Sequence, residues 1–284
     1  MAFIFRIVYT VYDMTNIYTD VYRGLTDMKI NILYEDNDII VCHKAPGVSS
    51  QAERSSDPDM VSLLMNHFHK SGVSHPYVGV VHRLDKPVAG VIIYGKNERS
   101  TKLLSEQITH HKLTKKYQAI LCGDIGELVT SAGVTLSPDG TYSMTHHLLR
   151  DAKTNTSSVV DPSAPAYRAN KEVKESRLSF KVLKTISIDE GHPLYKPNCP
   201  YDNKLSLVDI HLHTGRHHQI RVQFSHVGFP LWGDMKYSSY SSTLGQRRGV
   251  ALCAYDLTIK HPSTGELMNF HTIPDNSIFR ILEG

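Results

Sequence analysis

Three short runs in this 284-residue chain concentrate side chains capable of chemistry. The first is Val81-His82-Arg83-Leu84-Asp85, followed by Lys86-Pro87 and Gly90. It reads as an apolar strand entering a charged turn, with a second apolar strand, Val91–Tyr94, leaving at once. Asp85 stands at the tip. A carboxylate there can serve as a nucleophile or a base, or it can simply bond its own backbone, as turn aspartates often do. The second run is Thr214-Gly215-Arg216-His217-His218-Gln219-Ile220-Arg221. It falls at a strand-to-helix junction, where unbonded backbone N–H groups favour anions. The plain alternative is a solvated helix face. The third is Lys112, Lys115 and Lys116 leading into Tyr117, with Arg247-Arg248 as a smaller basic site. Cations beside an aromatic ring suit stacked, single-stranded bases. Taken singly, each is also an ordinary charged surface.

Other chemistries find little support. His211, His213, His217 and His218 are close in sequence, but no carboxylate completes a ligand set and HExxH is absent, so no metal is expected. Cys42, Cys122, Cys199 and Cys253 form no CxxC pair and read as reduced thiols of a cytosolic protein. There is no phosphate-binding glycine loop and no GxSxG elbow.

The elements that must position these runs follow from patterning. Apolar residues make up 40% and charged residues 21%, enough for a sizeable core. Lys and Arg number 31 against 28 Asp and Glu, so any nucleic-acid affinity must be local. Residues 2–12 are apolar but too short to span a bilayer. Met28 precedes a clean strand pattern, and residues 1–27 read as a dispensable N-terminal extension. Strands are expected at Ile30–Tyr34, Ile39–Lys44, Val78–Val81, Val91–Tyr94, Lys115–Cys122, Arg177–Ile186, Leu205–His213 and Gly249–Ile259, the last with a hairpin partner, Leu267–Ile273. Helices are expected from an Asp57-Pro58 start, at Glu98–Thr109 and at His217–Val227. Leu128–Leu149 reads as a hairpin about Ser137-Pro138-Asp139-Gly140, residues 151–175 as a long loop and 187–204 as an inserted surface loop. The class is α+β: a mixed, mostly antiparallel β-sheet core with a few flanking helices and long loops.

Three segments together resemble the RluA-type RNA pseudouridine synthases. They are His82-Arg83-Leu84-Asp85 with Gly90, Lys116-Tyr117-Gln118-Ala119, and Thr214-Gly215-Arg216-x-His218-Gln219-Ile220-Arg221. Glu35-Asp36, the segment Gly228-x-Pro230-x-x-Gly233-Asp234-x-x-Tyr237 and His261-Pro262 agree with the same pattern. The resemblance runs from about Ile30 to Pro274. It departs at Val88-Ala89, where the family usually carries a hydroxyl, and at Lys44-Ala45-Pro46-Gly47, where it has Lys-Pro-x-Gly. The motifs give no sign of the RNA-binding domain often found ahead of the catalytic domain in that family, so RNA choice is expected to rest on the catalytic domain.

The resemblance implies a catalytic domain over 28–284 with the active-site cleft across its sheet. It implies isomerisation of specific uridines in rRNA or tRNA to pseudouridine, with the base flipped out of the RNA. No cofactor is needed, since nothing is oxidised or added. Asp85 is the implied catalytic carboxylate, Arg221 its paired arginine and Tyr117 the platform for the flipped uracil. Arg83, His82, Lys116, Arg216, His218 and Gln219 are implied substrate contacts. Structured RNA is the expected partner of a cytoplasmic monomer. The alternatives are a catalytically inactive RNA-binding module, an RNA uracil glycosidase and a metal-dependent hydrolase.

Overall fold

The computed structural model describes residues 30–52, 57–110, 112–128, 133–164, 172–192, 194–238, 249–274 and 279. The expectations for residues 1–27 and for Arg247-Arg248 lie outside these. The chain divides into two compact units, residues 1–114 with 254–273 and residues 115–253 with 274–284.

The first unit is built around two strands that are buried almost throughout, Ile39–Lys44 and Ala89–Gly95. β1 (Asn31–Glu35) and β2 (Ile39–Lys44) form a hairpin. Its turn is tied by Asp36, whose Oδ1 accepts from the N–H groups of Asp38 and Ile39, both at 2.8 Å. β3 (Gly79–Val80) and β2 both pair antiparallel with β4 (Ala89–Gly95). β11 (Leu252–Lys260), in this unit from Ala254 onward, follows β4 in the strand order and carries β12 (Leu267–His271). Every residue of β4 is buried, as the continuous apolar run at Val91–Tyr94 requires of a central strand. Ile39 and Val41, Val91 and Ile93, and Ile259 meet Leu104 of α2 (Glu98–Thr109) in one core.

α1 (Met60–Lys70) buries Met60, Leu64 and Phe68, the positions its spacing singles out. Its cap differs from the expected Asp57. Asp59 accepts from the N–H groups of Val61 and Ser62, and Asp57 instead pairs with Lys86 at 2.6 Å. The nearer carboxylate wins because a cap must reach N–H groups two and three residues on.

In the second unit the strand order is β5, β10, β9, β7, β6, with β8 also on β7: β5 (Thr114–Cys122), β6 (Val134–Leu136), β7 (Tyr142–Asp151), β8 (Thr156–Val159), β9 (Lys174–Ser187) and β10 (Lys204–Leu212). Each of these pairings is antiparallel. One face of this sheet is apolar. The residues in register across it, Tyr117, Ile210, Phe180 and Tyr142, are all buried. The Tyr142 and Phe180 rings stack at 4.9 Å, and Phe224 of α3 (Gln219–His226) meets Phe180 edge-on at 5.0 Å. Aromatic packing thus fixes α3 on that face.

Two expectations change here. The segment 151–175 is not one loop: β8 returns along β7 as a hairpin, and β9 starts at Lys174. Asp151 Oδ1 accepts from the Lys153 N–H at 2.8 Å, and Asn155 adopts a left-handed φ of 51°. The hairpin is polar because most of its side chains face outward, which hid the strand. α3 starts at Gln219 rather than His217, because His218 also has a left-handed φ, 54°. The hairpin expected around Ser137–Gly140 is present, as β6 and β7. Cys42, Cys122 and Cys253 are buried, Cys199 is half-buried and none is bonded to another.

Candidate active site

The Asp85 turn is pinned from three sides within its own unit. Asp85 accepts the Val88 N–H through its carbonyl at 2.9 Å, closing the turn. Ser50 grips the preceding residue twice: its hydroxyl donates to the Leu84 carbonyl at 2.7 Å and accepts the Leu84 N–H at 3.0 Å. Ser50 is held in turn by the Tyr94 hydroxyl, which donates to its carbonyl at 2.7 Å. Lys44 holds the residue that follows. Its amine, fully buried, donates to the carbonyls of Ala45, Val48 and Lys86 at 3.1, 2.7 and 3.2 Å. Burial pushes the Lys44 amine down to about 7, and the negative charge of Asp85 opposes this. Three accepting carbonyls match the three N–H bonds of an ammonium ion, so the geometry also favours the charged form.

Gly90 follows directly, and its φ is +132°. A Cβ there would lie 2.3 Å from the Ala254 carbonyl oxygen. The glycine is needed for close strand packing as well as for the turn. Val88 is buried, so its side chain is a core contact. His82 Nε2 accepts the Ile93 N–H at 3.3 Å, which ties the loop to β4, and Arg83 is exposed.

The second constellation is assembled inside the other unit, at the end of β10 and the start of α3. Gln219, expected among the substrate contacts, works as a brace. Its Oε1 accepts from the Thr214 hydroxyl at 2.8 Å and the Arg216 N–H at 3.0 Å, and its amide donates to the Arg177 carbonyl at 3.1 Å. Arg216 is exposed and donates to the Glu175 carbonyl at 2.9 Å. Arg221 is 4% exposed. Asp234, wholly buried, accepts from its Nε and Nη2, both at 2.7 Å, the bidentate fork of an ideal Arg–carboxylate pair. Asp234 also accepts the N–H groups of Lys236 and Tyr237 at 3.0 and 3.2 Å. The Tyr237 ring lies 5.1 Å from the guanidinium carbon, and its hydroxyl meets His218 Nδ1 at 2.7 Å.

Tyr117 shares the sheet face on which α3 packs, by its register with Ile210 and Phe180. Lys116 is in register with His211 and Ser179 and therefore lies on the opposite face. The two neighbours, grouped together in the sequence, belong to different surfaces. Asp234, Tyr237, Ser50 and Lys44 are not among the site residues expected from the sequence, although Gly233-Asp234-x-x-Tyr237 belongs to the family pattern and Lys44 opens a loop that departs from it. Among the described residues no group of three or more His, Cys, Asp or Glu could hold a metal ion.

Residues 38–226, which contain the Asp85 turn, Tyr117 and Arg221, match the family model for RNA pseudouridylate synthase. The chain belongs to this family. It is 30% identical over 261 residues to the uncharacterized RNA pseudouridine synthase YlyB of Bacillus subtilis, covering 90% of this chain and 73% of that protein. It is 28% identical over 259 residues to ribosomal large subunit pseudouridine synthase D of Pasteurella multocida, covering 86% and 67%. The structure of human RNA pseudouridylate synthase domain containing 1 superposes with a TM-score of 0.62 at 21% identity, over 86% of this chain and 83% of that one, and shares the fold. Pseudouridine synthases are isomerases, and the RNA pseudouridine synthase class of this chain follows from its family. Among the described residues no helix is long and apolar enough to cross a membrane.

Proposed function

We propose that residues 28–284 act as a catalytic domain that isomerises specific uridines of structured RNA, rRNA or tRNA, to pseudouridine, with Asp85 as the catalytic carboxylate. The observation that carries this is the single family match over 38–226, which contains both charged runs and Tyr117 in the family's order. The relatives named for ribosomal large subunit modification favour rRNA as the first substrate to try.

The reaction breaks the bond from ribose C1′ to the uracil nitrogen, rotates the base and rejoins it through carbon. The carbon loses a proton and the nitrogen gains one, so atoms balance without a co-reactant. Asp85 supplies the nucleophile or base, on a turn whose backbone is held by Ser50 and Lys44. Tyr117 supplies a stacking surface for the flipped uracil, offsetting part of an unstacking cost of a few kcal/mol, and its hydroxyl can take part in removing the carbon-bound proton. Arg221 is the arginine that the family's pattern pairs with the aspartate, with a guanidinium already oriented by Asp234. Arg83 and Arg216, both exposed, suit phosphate contacts. His82 and Gln219 act through the loops they brace.

The test is carbodiimide labelling with reverse-transcription mapping of rRNA and tRNA from cells with and without the gene, together with purified protein on the corresponding transcripts. A stop that disappears with the gene and returns on adding the protein is expected. Asp85→Asn should abolish it while RNA binding persists. No change at any uridine, or free uracil as product, would overturn the assignment.

A further inference from the structure

We propose that Tyr237 is a positioning residue for the reaction, tying the β7–β8 hairpin to His218 and to the guanidinium of Arg221. The proposal rests on the role given to Arg221 above. Tyr237 is joined to three separate pieces of its unit. Its hydroxyl accepts the Ser157 N–H of β8 at 2.8 Å and meets His218 Nδ1 at 2.7 Å, while its ring faces the Arg221 guanidinium at 5.1 Å. In the proposed arrangement the Tyr237 oxygen accepts from Ser157 and its hydroxyl hydrogen is donated to Nδ1. That assigns His218 the neutral tautomer with its proton on Nε2.

The hairpin reaches the same cluster by a second route. Ser157 Oγ lies 2.9 Å from His217 Nδ1, and His217 Nε2 lies 3.1 Å from Asn155 Oδ1. The His217 ring stacks on His218 with centroids 3.7 Å apart. Lys236, beside Tyr237, donates to the Asn155 carbonyl at 2.9 Å. Asn155 at the hairpin end is exposed, so a contact made there is mechanically linked to the residues that hold Arg221.

The test uses the full chain with ¹⁵N-labelled histidine, the His218 signals being identified by their loss in His218→Gln. In the wild type at pH 8, Nδ1 should resonate as an unprotonated nitrogen and Nε2 as a protonated one. In Tyr237→Phe that preference should disappear. Kinetically, Tyr237→Phe should lower kcat about tenfold with KM for the RNA within about twofold, and Tyr237→Leu, which also removes the ring, should lose about tenfold more. A protonated Nδ1 in the wild type, an unchanged tautomer in Tyr237→Phe, or a kcat loss matched by a loss of folded protein in circular dichroism would overturn the proposal. If the wild type isomerised no RNA, the positioning role would fall with the proposed function, while the tautomer measurement would still decide separately whether Tyr237 sets the state of the His218 ring.

Discussion

A guanidinium buried as deeply as that of Arg221 depends on its acceptor. Asp234 meets it in a two-point fork and is itself held by two backbone N–H groups. Removing one charge of such a buried pair typically costs about 3–5 kcal/mol. Asp234→Asn should therefore lower unfolding free energy by that amount in urea denaturation. Arg221→Lys keeps the charge but loses the fork, and should reduce turnover about a hundredfold in a single-turnover assay. Lys44→Met keeps the aliphatic stem and leaves the Ala45, Val48 and Lys86 carbonyls without their amine. A loss of about 2–4 kcal/mol is expected in the same denaturation assay, from groups that each cost about 1–3 when stranded. Asp85 and Arg221 were legible in the sequence because their types and spacing form a pattern. Asp234 was visible only as part of a motif, since nothing in a linear string says which carboxylate a buried arginine faces 13 residues away.

At the scale of elements, the Asp85 turn is as good as the strand that leaves it. Gly90 packs its α-carbon against the Ala254 backbone, which has no side chain to swing aside. Gly90→Ala combines that overlap with a φ that favours glycine, and should reduce stability by several kcal/mol in thermal unfolding, with activity lost in step. The strands Ile39–Lys44 and Val91–Tyr94 and the helix Glu98–Thr109 were legible because period and propensity agree. β8 was not. Its residues Thr156–Val159 alternate too briefly, and polar side chains on an outward-facing hairpin look like those of a loop. The start of α3 was misplaced because a left-handed residue at His218 depends on contacts with Tyr237 and His217 that no local rule contains.

For the whole molecule the sharpest handle is acidity. His146 is buried beside His226, and burial, then His226 and His147, push it down from 6.5 to about 4. Its Nδ1 takes a hydrogen bond from the Gln223 amide at 3.1 Å, which needs the neutral ring. The folded value is below the unfolded one, so the stabilisation is present above about 6.5 and is lost as pH falls toward 4. At most about 3 kcal/mol should disappear across that window. Unfolding midpoints in urea measured from pH 7 to pH 4 should fall steeply for the wild type and less steeply for His146→Phe.

The buried thiols give each unit its own stopwatch. Cys42 lies in the first unit and Cys122 in the second, and burial pushes both thiols up to about 12. At neutral pH almost no thiolate exists at either place, so an alkylating reagent can reach each sulfur only after its strand has opened. Mass-spectrometric readout of the two peptides against time in iodoacetamide would then separate two opening rates in one sample. Equal rates would mark a single cooperative event; unequal rates would say which half of the chain lets go first.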